Sequence, residues 1–177
     1  MNPFATLGLE PAVSIDAKEI ERRYRDLQRA LHPDRHAQKP ASERRMHLEK
    51  AVEVNEAYRV LTDDVRRAEA VFALRGVAVD EKDGRIDPAF LMEVMELREG
   101  VSEAAAKGDA AALVRFVADA ETRRAALLAE LEQAAGANGA NGAAVDEARA
   151  TELLGRLRYV RRLLDELEAM TADLEEA

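Results

Sequence analysis

The chain has 177 residues, 47% hydrophobic and 34% charged, and its 26 Lys+Arg against 35 Asp+Glu leave a net charge of −9. With no cysteine it cannot form disulfides, thiolate metal sites or cysteine nucleophiles, and its acidic balance argues against general nucleic-acid binding. No run nears the ~18 apolar residues of a membrane span, and Met-Asn-Pro-Phe lacks the regions of a signal peptide. A soluble, cytoplasmic protein of one or two small helical domains is therefore expected. Its charge is uneven. Lys18 to His47 carries nine Lys/Arg against five Asp/Glu, whereas Val160 to Ala177 carries two against six. One stretch thus offers a basic surface and the other an acidic one.

Asp16-Ala17-Lys18-Glu19 fits a capping box. A helix over 17–31 is expected to follow, with Ile20, Tyr24, Leu27 and Leu31 on one stripe. Pro33 should stop it and leave residues 34–40 as a loop. A second long helix over 42–61 places Ala51, Val54, Tyr58 and Leu61 on its stripe, so the two form an antiparallel hairpin. Phe4, Leu7 and Leu9 could cover its open side. Asp63 can cap a further helix that Gly76 ends. Residues 77–87 read as a linker between a first domain over 1–76 and a second over 88–177.

In the second domain Asp87-Pro88 starts a helix, Gly100 to Asp109 interrupts it, and Asp109 caps the next. The Gly/Asn-rich run within 133–144 reads as a loop tip. A last helix over 145–174 carries a Leu153–Leu157–Val160–Leu164 seam. The expected fold class is all-α: a helical hairpin followed by a three-helix bundle.

Arg22, Arg25 and Arg29 fall on one side of the first long helix, away from its apolar stripe. That side leads into His32-Pro33-Asp34, where a rigid turn presents an imidazole and a carboxylate. As an alternative, His32 and Asp34 merely cap the helix and shape a turn. Another is a metal-dependent hydrolase using His32, Asp34 and His36, but Pro33 opposes the strand that would align them, and catalytic zinc needs three ligands in a supported site.

The His-Pro-Asp turn between two amphipathic helices resembles a J-domain, the module by which DnaJ-type co-chaperones stimulate the ATPase of DnaK-type chaperones. Tyr24, Leu27, Leu31, His32, Pro33, Asp34, Asn55, Ala57, Tyr58, Leu61 and Arg67-Ala68 carry the resemblance. It implies that His32 and Asp34 contact the chaperone, with Pro33 between them and Arg22, Arg25 and Arg29 steering the encounter.

The helix after the linker has too many apolar residues for one face. Phe90, Val94, Leu97 and Val101 cluster within about 60°. Leu91, Met92 and Met95 lie nearly opposite, flanked by Arg98 and Glu99, and Tyr159 sits outside the last helix's seam. These residues either form an exposed protein-binding patch or pack on another element, and periodicity leaves both open.

A J-domain followed by a three-helix bundle resembles the HscB family of iron–sulfur co-chaperones. Phe90-Leu91-Met92-Glu93 with Glu96-Leu97-Arg98-Glu99 is similar to that family's scaffold-binding helix, and Leu157-Arg158-Tyr159 to its counterpart on the last helix. Some eukaryotic members carry an N-terminal cysteine metal motif; this chain lacks it and resembles the bacterial form. The resemblance implies a non-enzyme that activates an HscA/DnaK-type ATPase. It also implies binding of an IscU-like scaffold through Leu91, Met92, Met95, Glu96, Arg98, Glu99 and Tyr159. No cofactor, resident metal, nucleic acid or membrane partner is expected, since no cysteine is present to ligate a cluster. The alternative is a J-domain co-chaperone with another client.

Overall fold

A computed structural model describes residues 1–36, 38–77, 87–136 and 145–176. The chain divides into two compact units, the first built on residues 1–78 and the second on 79–136 and 143–177. Residues 78–86 of the expected linker and 137–144 of the Gly/Asn run lie outside the described residues. Every described element is a helix.

The first unit holds α1 (Pro3–Leu7), α2 (Ala17–Leu31), α3 (Pro33–His36), α4 (Ala41–Thr62) and α5 (Asp64–Leu74). Helix α2 pairs with α4 as the hairpin, and α1 packs on α4. The apolar residues before the hairpin thus form a short helix of their own. Asn2 caps it by accepting from the Ala5 N–H at 3.2 Å, and Gly8 ends it in the left-handed region at φ 66°. Phe4 and Leu7 are fully buried with Ile20, Val54, Leu61 and Phe72, while Leu9 is half-buried. Packing thins toward the far end of the hairpin. Leu27 and Leu31 are only half-buried there, and Met46, Leu48 and Val52 are exposed. Such an end has few contacts opposing local movement.

Two local expectations are corrected. Asp16 does cap α2, accepting from the Lys18 N–H at 2.9 Å. Glu19, however, does not reach back to complete a capping box; it accepts from Arg22 and Arg23 instead, because charge-assisted pairs outcompete a neutral N–H. Nor is 34–40 all loop. Pro33–His36 makes one helical turn, since proline at the first position is preset for a helix and the Arg35 N–H donates to the His32 carbonyl at 3.0 Å.

Arg67 is the one buried charged side chain among the described residues. Its Nε donates to the Val13 carbonyl at 2.7 Å and another guanidinium nitrogen to the Leu61 carbonyl at 2.6 Å. Its remaining edge pairs with Asp64. One guanidinium thus ties the 8–16 segment and the end of α4 to α5. Arg67→Met should cost about 3 kcal/mol of stability by stranding two carbonyls and a carboxylate. A denaturant midpoint at unchanged slope would measure it.

The second unit is a three-helix bundle of α6 (Pro88–Ala106), α7 (Ala110–Ala134) and α8 (Glu147–Glu176). Asp87, Asp109 and Asp146 cap their N-termini. Leu113, Leu131, Leu153, Leu154, Leu157, Leu163 and Leu167 are the largest fully buried side chains of the core. The expected break from Gly100 to Asp109 shrinks to its last residues. Helix α6 runs through Gly100 and ends near Gly108, at φ 65°. A glycine inside a helix costs only about 1 kcal/mol. Here its bare Cα also makes room for the Phe116 ring, since a Cβ would sit 2.9 Å from Phe116 Cζ.

Candidate functional site

In the first unit α2 ends at His32, whose extended backbone (φ −58°, ψ 131°) turns the chain into Pro33. His32, Pro33 and Asp34 are all exposed. The Asp34 N–H donates to His32 Nδ1 at 3.3 Å, which leaves the ring proton on Nε2. The Asp34 carboxylate lies 3.6 Å from the same ring, and its side chain is 89% exposed. An imidazole N–H and an unburied carboxylate therefore share one turn. Beside them Gln28, Leu31, His32, Pro33, Ala51, Val54 and Asn55 line an open groove between α2 and α4.

The hairpin is braced just behind this turn. Tyr24 of α2 stacks on Tyr58 of α4 at 4.0 Å, and its hydroxyl donates to Asn55 Oδ1 at 3.0 Å. Gln28 Nε2 in turn donates to the Tyr24 hydroxyl.

Arg22, Arg25 and Arg29 share one exposed face of α2 with Lys18, Glu21 and Asp26. Arg25 and Arg29 continue with Gln28 to His32, so the arginine face and the turn form one continuous surface. Composition alone would leave that face bare and positive. Instead each arginine has a carboxylate on its own helix: Arg22 with Glu19, Arg25 with Glu21 and Arg29 with Asp26. Hydrogen bonds from Arg22 and Arg23 hold the Glu19 carboxyl below its ordinary range, and Glu19 raises Arg22. The surface is thus amphoteric, with exposed pairs worth little in themselves and open to exchange for an acidic partner.

The three residues of the metal alternative are not brought together. His36 turns away from His32, with its Nε2 at the Ala30 carbonyl and its ring on His47. Among the described residues no three His, Cys, Asp or Glu side chains are placed to hold an ion.

In the second unit Phe90, Val94 and Val101 of α6 face the core and Leu97 is half-buried. Leu91, Met92 and Met95 stand 43%, 65% and 70% exposed. Glu96, Arg98 and Glu99 are exposed with them, and the six fall within an arc of about 160° at helical pitch. This is an apolar centre of thioether and leucine rimmed by charge. Of the two readings left open by periodicity, the exposed patch is the one observed for Leu91, Met92 and Met95.

Tyr159 follows the other of the two readings, being half-buried. Its ring meets Phe90 edge-on at 5.8 Å, and the Arg98 guanidinium covers it at 5.6 Å. Arg98 is held there by Glu166 of α8 at 2.6 Å. The hydroxyl is buried without a hydrogen-bond partner. Burial pushes the phenol upward, with Arg98 acting against that. Tyr159 lies off the heptad seam, yet the bulk of Phe90 and the reach of Arg98 cover it, which spacing along one helix does not encode.

The family comparisons agree with this anatomy. A DnaJ domain matches residues 2–70 and an HSCB C-terminal oligomerisation domain matches residues 86–168. The chain is 34% identical over 177 residues to the co-chaperone protein HscB homolog of Pasteurella multocida, covering 98% of each. It is 32% identical over 168 residues to the corresponding protein of Shewanella oneidensis, covering 94% of this chain and 95% of that one. Among solved structures, chaperone HscB from Vibrio cholerae superposes with a TM-score of 0.80 at 31% identity, over 98% of this chain and 99% of that one. The human co-chaperone HscB shares the fold, with a TM-score of 0.77 at 24% identity, over 96% of this chain and 81% of that one. A J-domain hairpin with an exposed His32-Pro33-Asp34 turn, joined in sequence to an HscB-type bundle, places this chain in the HscB co-chaperone family.

Proposed function

We propose that this co-chaperone is a two-armed adaptor for iron–sulfur cluster assembly. One arm is the J-domain, which stimulates the ATPase of an HscA/DnaK-type chaperone. The other is the bundle, which delivers an IscU-like scaffold to that chaperone. The exposed His32–Asp34 turn at the end of the arginine face supports the first arm. The second arm rests on the Leu91, Met92 and Met95 patch, rimmed by Glu96, Arg98 and Glu99 and backed by Tyr159.

The chemistry asked of the chain is modest. Asp34 offers a charged acceptor and His32 a donor to groups on the ATPase. Arg22, Arg25 and Arg29 trade their intrahelical carboxylates for acidic groups on the chaperone. Steering of that kind acts mainly on the association rate and is screened by salt. Changing all three arginines to glutamine should slow chaperone association by about tenfold at low salt. It should also flatten the salt dependence and leave dissociation nearly unchanged, as stopped-flow mixing at several ionic strengths would show. On the other arm, exposed methionines and leucine supply desolvated contact area while the charged rim sets orientation. Holding both partners on one chain raises the scaffold's effective concentration at the chaperone without any reaction on the adaptor.

Sedimentation of this chain with the purified chaperone, the scaffold or both tests the reading. A ternary complex, with chaperone and scaffold failing to co-sediment efficiently without the adaptor, is the expected result. Chaperone binding with no scaffold binding would instead indicate a J-domain co-chaperone of a different client.

A further inference from the structure

The turn that carries His32 and Asp34 is held in place by two rings outside the motif. Helix α3 has no buried residue, and Pro33, Asp34 and Arg35 project into solvent. Its half-buried residue is His36. The His36 Nε2 lies 2.8 Å from the Ala30 carbonyl near the end of α2. The ring stacks on His47 of α4, with centroids 3.6 Å apart and planes within 12°. One side chain thus fastens the turn to both helices of the hairpin, at the thinly packed end where little else does.

The contacts around the stack disfavour a charged His47. The bond to the Ala30 carbonyl needs the proton on Nε2, so His36 Nδ1 is bare, and it is buried with no hydrogen-bond partner. His47 Nε2 lies 3.4 Å from the Lys39 ammonium, which donates to it; a proton on that nitrogen would face a like charge. Burial holds His47 below its ordinary value, reinforced by His36 and Lys39 and opposed by Glu43. The groups facing the pair are the Ala30 carbonyl from α2, Lys39 from the connecting loop, and Glu43 from α4, itself 3.4 Å from Lys39.

We propose that His36 and His47 are positioning residues for the His32-Pro33-Asp34 turn, and that their stack is a pH-sensitive latch opened by protonation of His47. The proposal rests on the reading of that turn as the chaperone-docking element. The sign follows from which state binds the proton. The open turn takes it up more readily, so the latch holds above the ordinary histidine range near ~6.5 and weakens as pH falls through it. Loss of a stacked ring pair corresponds to about a two- to tenfold drop in the docked population.

Two readouts on the full chain test this: NMR amide shifts of Asp34 and Arg35, and stimulation of chaperone ATPase. Each is taken between about pH 7.5 and pH 6. The double variant His36→Phe/His47→Phe keeps a ring stack that cannot titrate. It also retains His32, so the motif itself is unchanged. Relative to it, the wild type should lose about two- to tenfold of its stimulation on acidification, with the two amides moving in step. His47→Ala should lose a similar factor already at neutral pH, and His47→Phe should restore it. Coincident pH profiles for wild type and double variant, or an inert His47→Ala, would overturn the latch. If the wild type stimulates no chaperone at neutral pH, the docking reading fails, and the amide titration still decides the latch by itself.

Discussion

Asp34→Asn is expected to remove most chaperone stimulation at sub-saturating concentration while leaving the fold and scaffold binding intact. The side chain is 89% exposed and its carboxylate is buried against nothing. The bond that shapes the turn runs from the Asp34 backbone N–H to His32 Nδ1, and asparagine keeps it. The substitution therefore removes a charge and little else from the free protein, and unfolding should shift by less than about 0.5 kcal/mol. In the complex a charge-assisted hydrogen bond becomes a neutral one. The two classes differ by about 1–1.5 kcal/mol, so docking should weaken by roughly five- to tenfold. ATPase turnover at sub-saturating co-chaperone would read the loss, and calorimetric titration of the scaffold would read the arm expected to be unaffected. Equal loss at both arms would contradict their independence.

The second large effect is expected from the bundle. Changing Leu91, Met92 and Met95 together to alanine should weaken scaffold binding by about two to three orders of magnitude, because each is an exposed apolar side chain that only a partner would bury. All three lie on the solvent side of α6, opposite Phe90, Val94 and Val101. Alanine is also at least as good a helix former, so the melting temperature should hold or rise slightly. The same variant should stimulate the chaperone normally in the absence of scaffold. A triple variant with unchanged scaffold affinity would remove the patch from the account and favour another client.

Most of this architecture was legible in the sequence because it depends on local signals. Capping aspartates at Asp16, Asp63, Asp87 and Asp109 stand where helices begin, and three- and four-residue spacing set the faces of α2, α4 and α6. The exposed Leu91–Met92–Met95 arc follows from there being too many apolar residues for one face. What escaped depends on contacts distant in sequence or on competition among neighbours. Gly100 reads as a break until Phe116 is seen to occupy the space its missing side chain leaves. Glu19 reads as half of a capping box until two arginines on the next turn claim it. Spacing leaves Tyr159 open between exposed and packed until Phe90 and Arg98, more than fifty residues away, are found against its ring. The His36–His47 stack spans the hairpin loop, and no periodicity announces it. Arg67, one residue of a matched dipeptide in sequence, proves to be a buried clamp on two carbonyls.

The central claim is that one chain couples two partners, and the most direct measurement is chaperone ATPase turnover with this protein, with and without the iron–sulfur scaffold. The account predicts stimulation by the protein alone and a further rise when scaffold is added, with the second increment lost in the Leu91/Met92/Met95 variant. Stimulation indifferent to scaffold would contradict the delivery role, and no stimulation of any cognate chaperone would contradict the account as a whole.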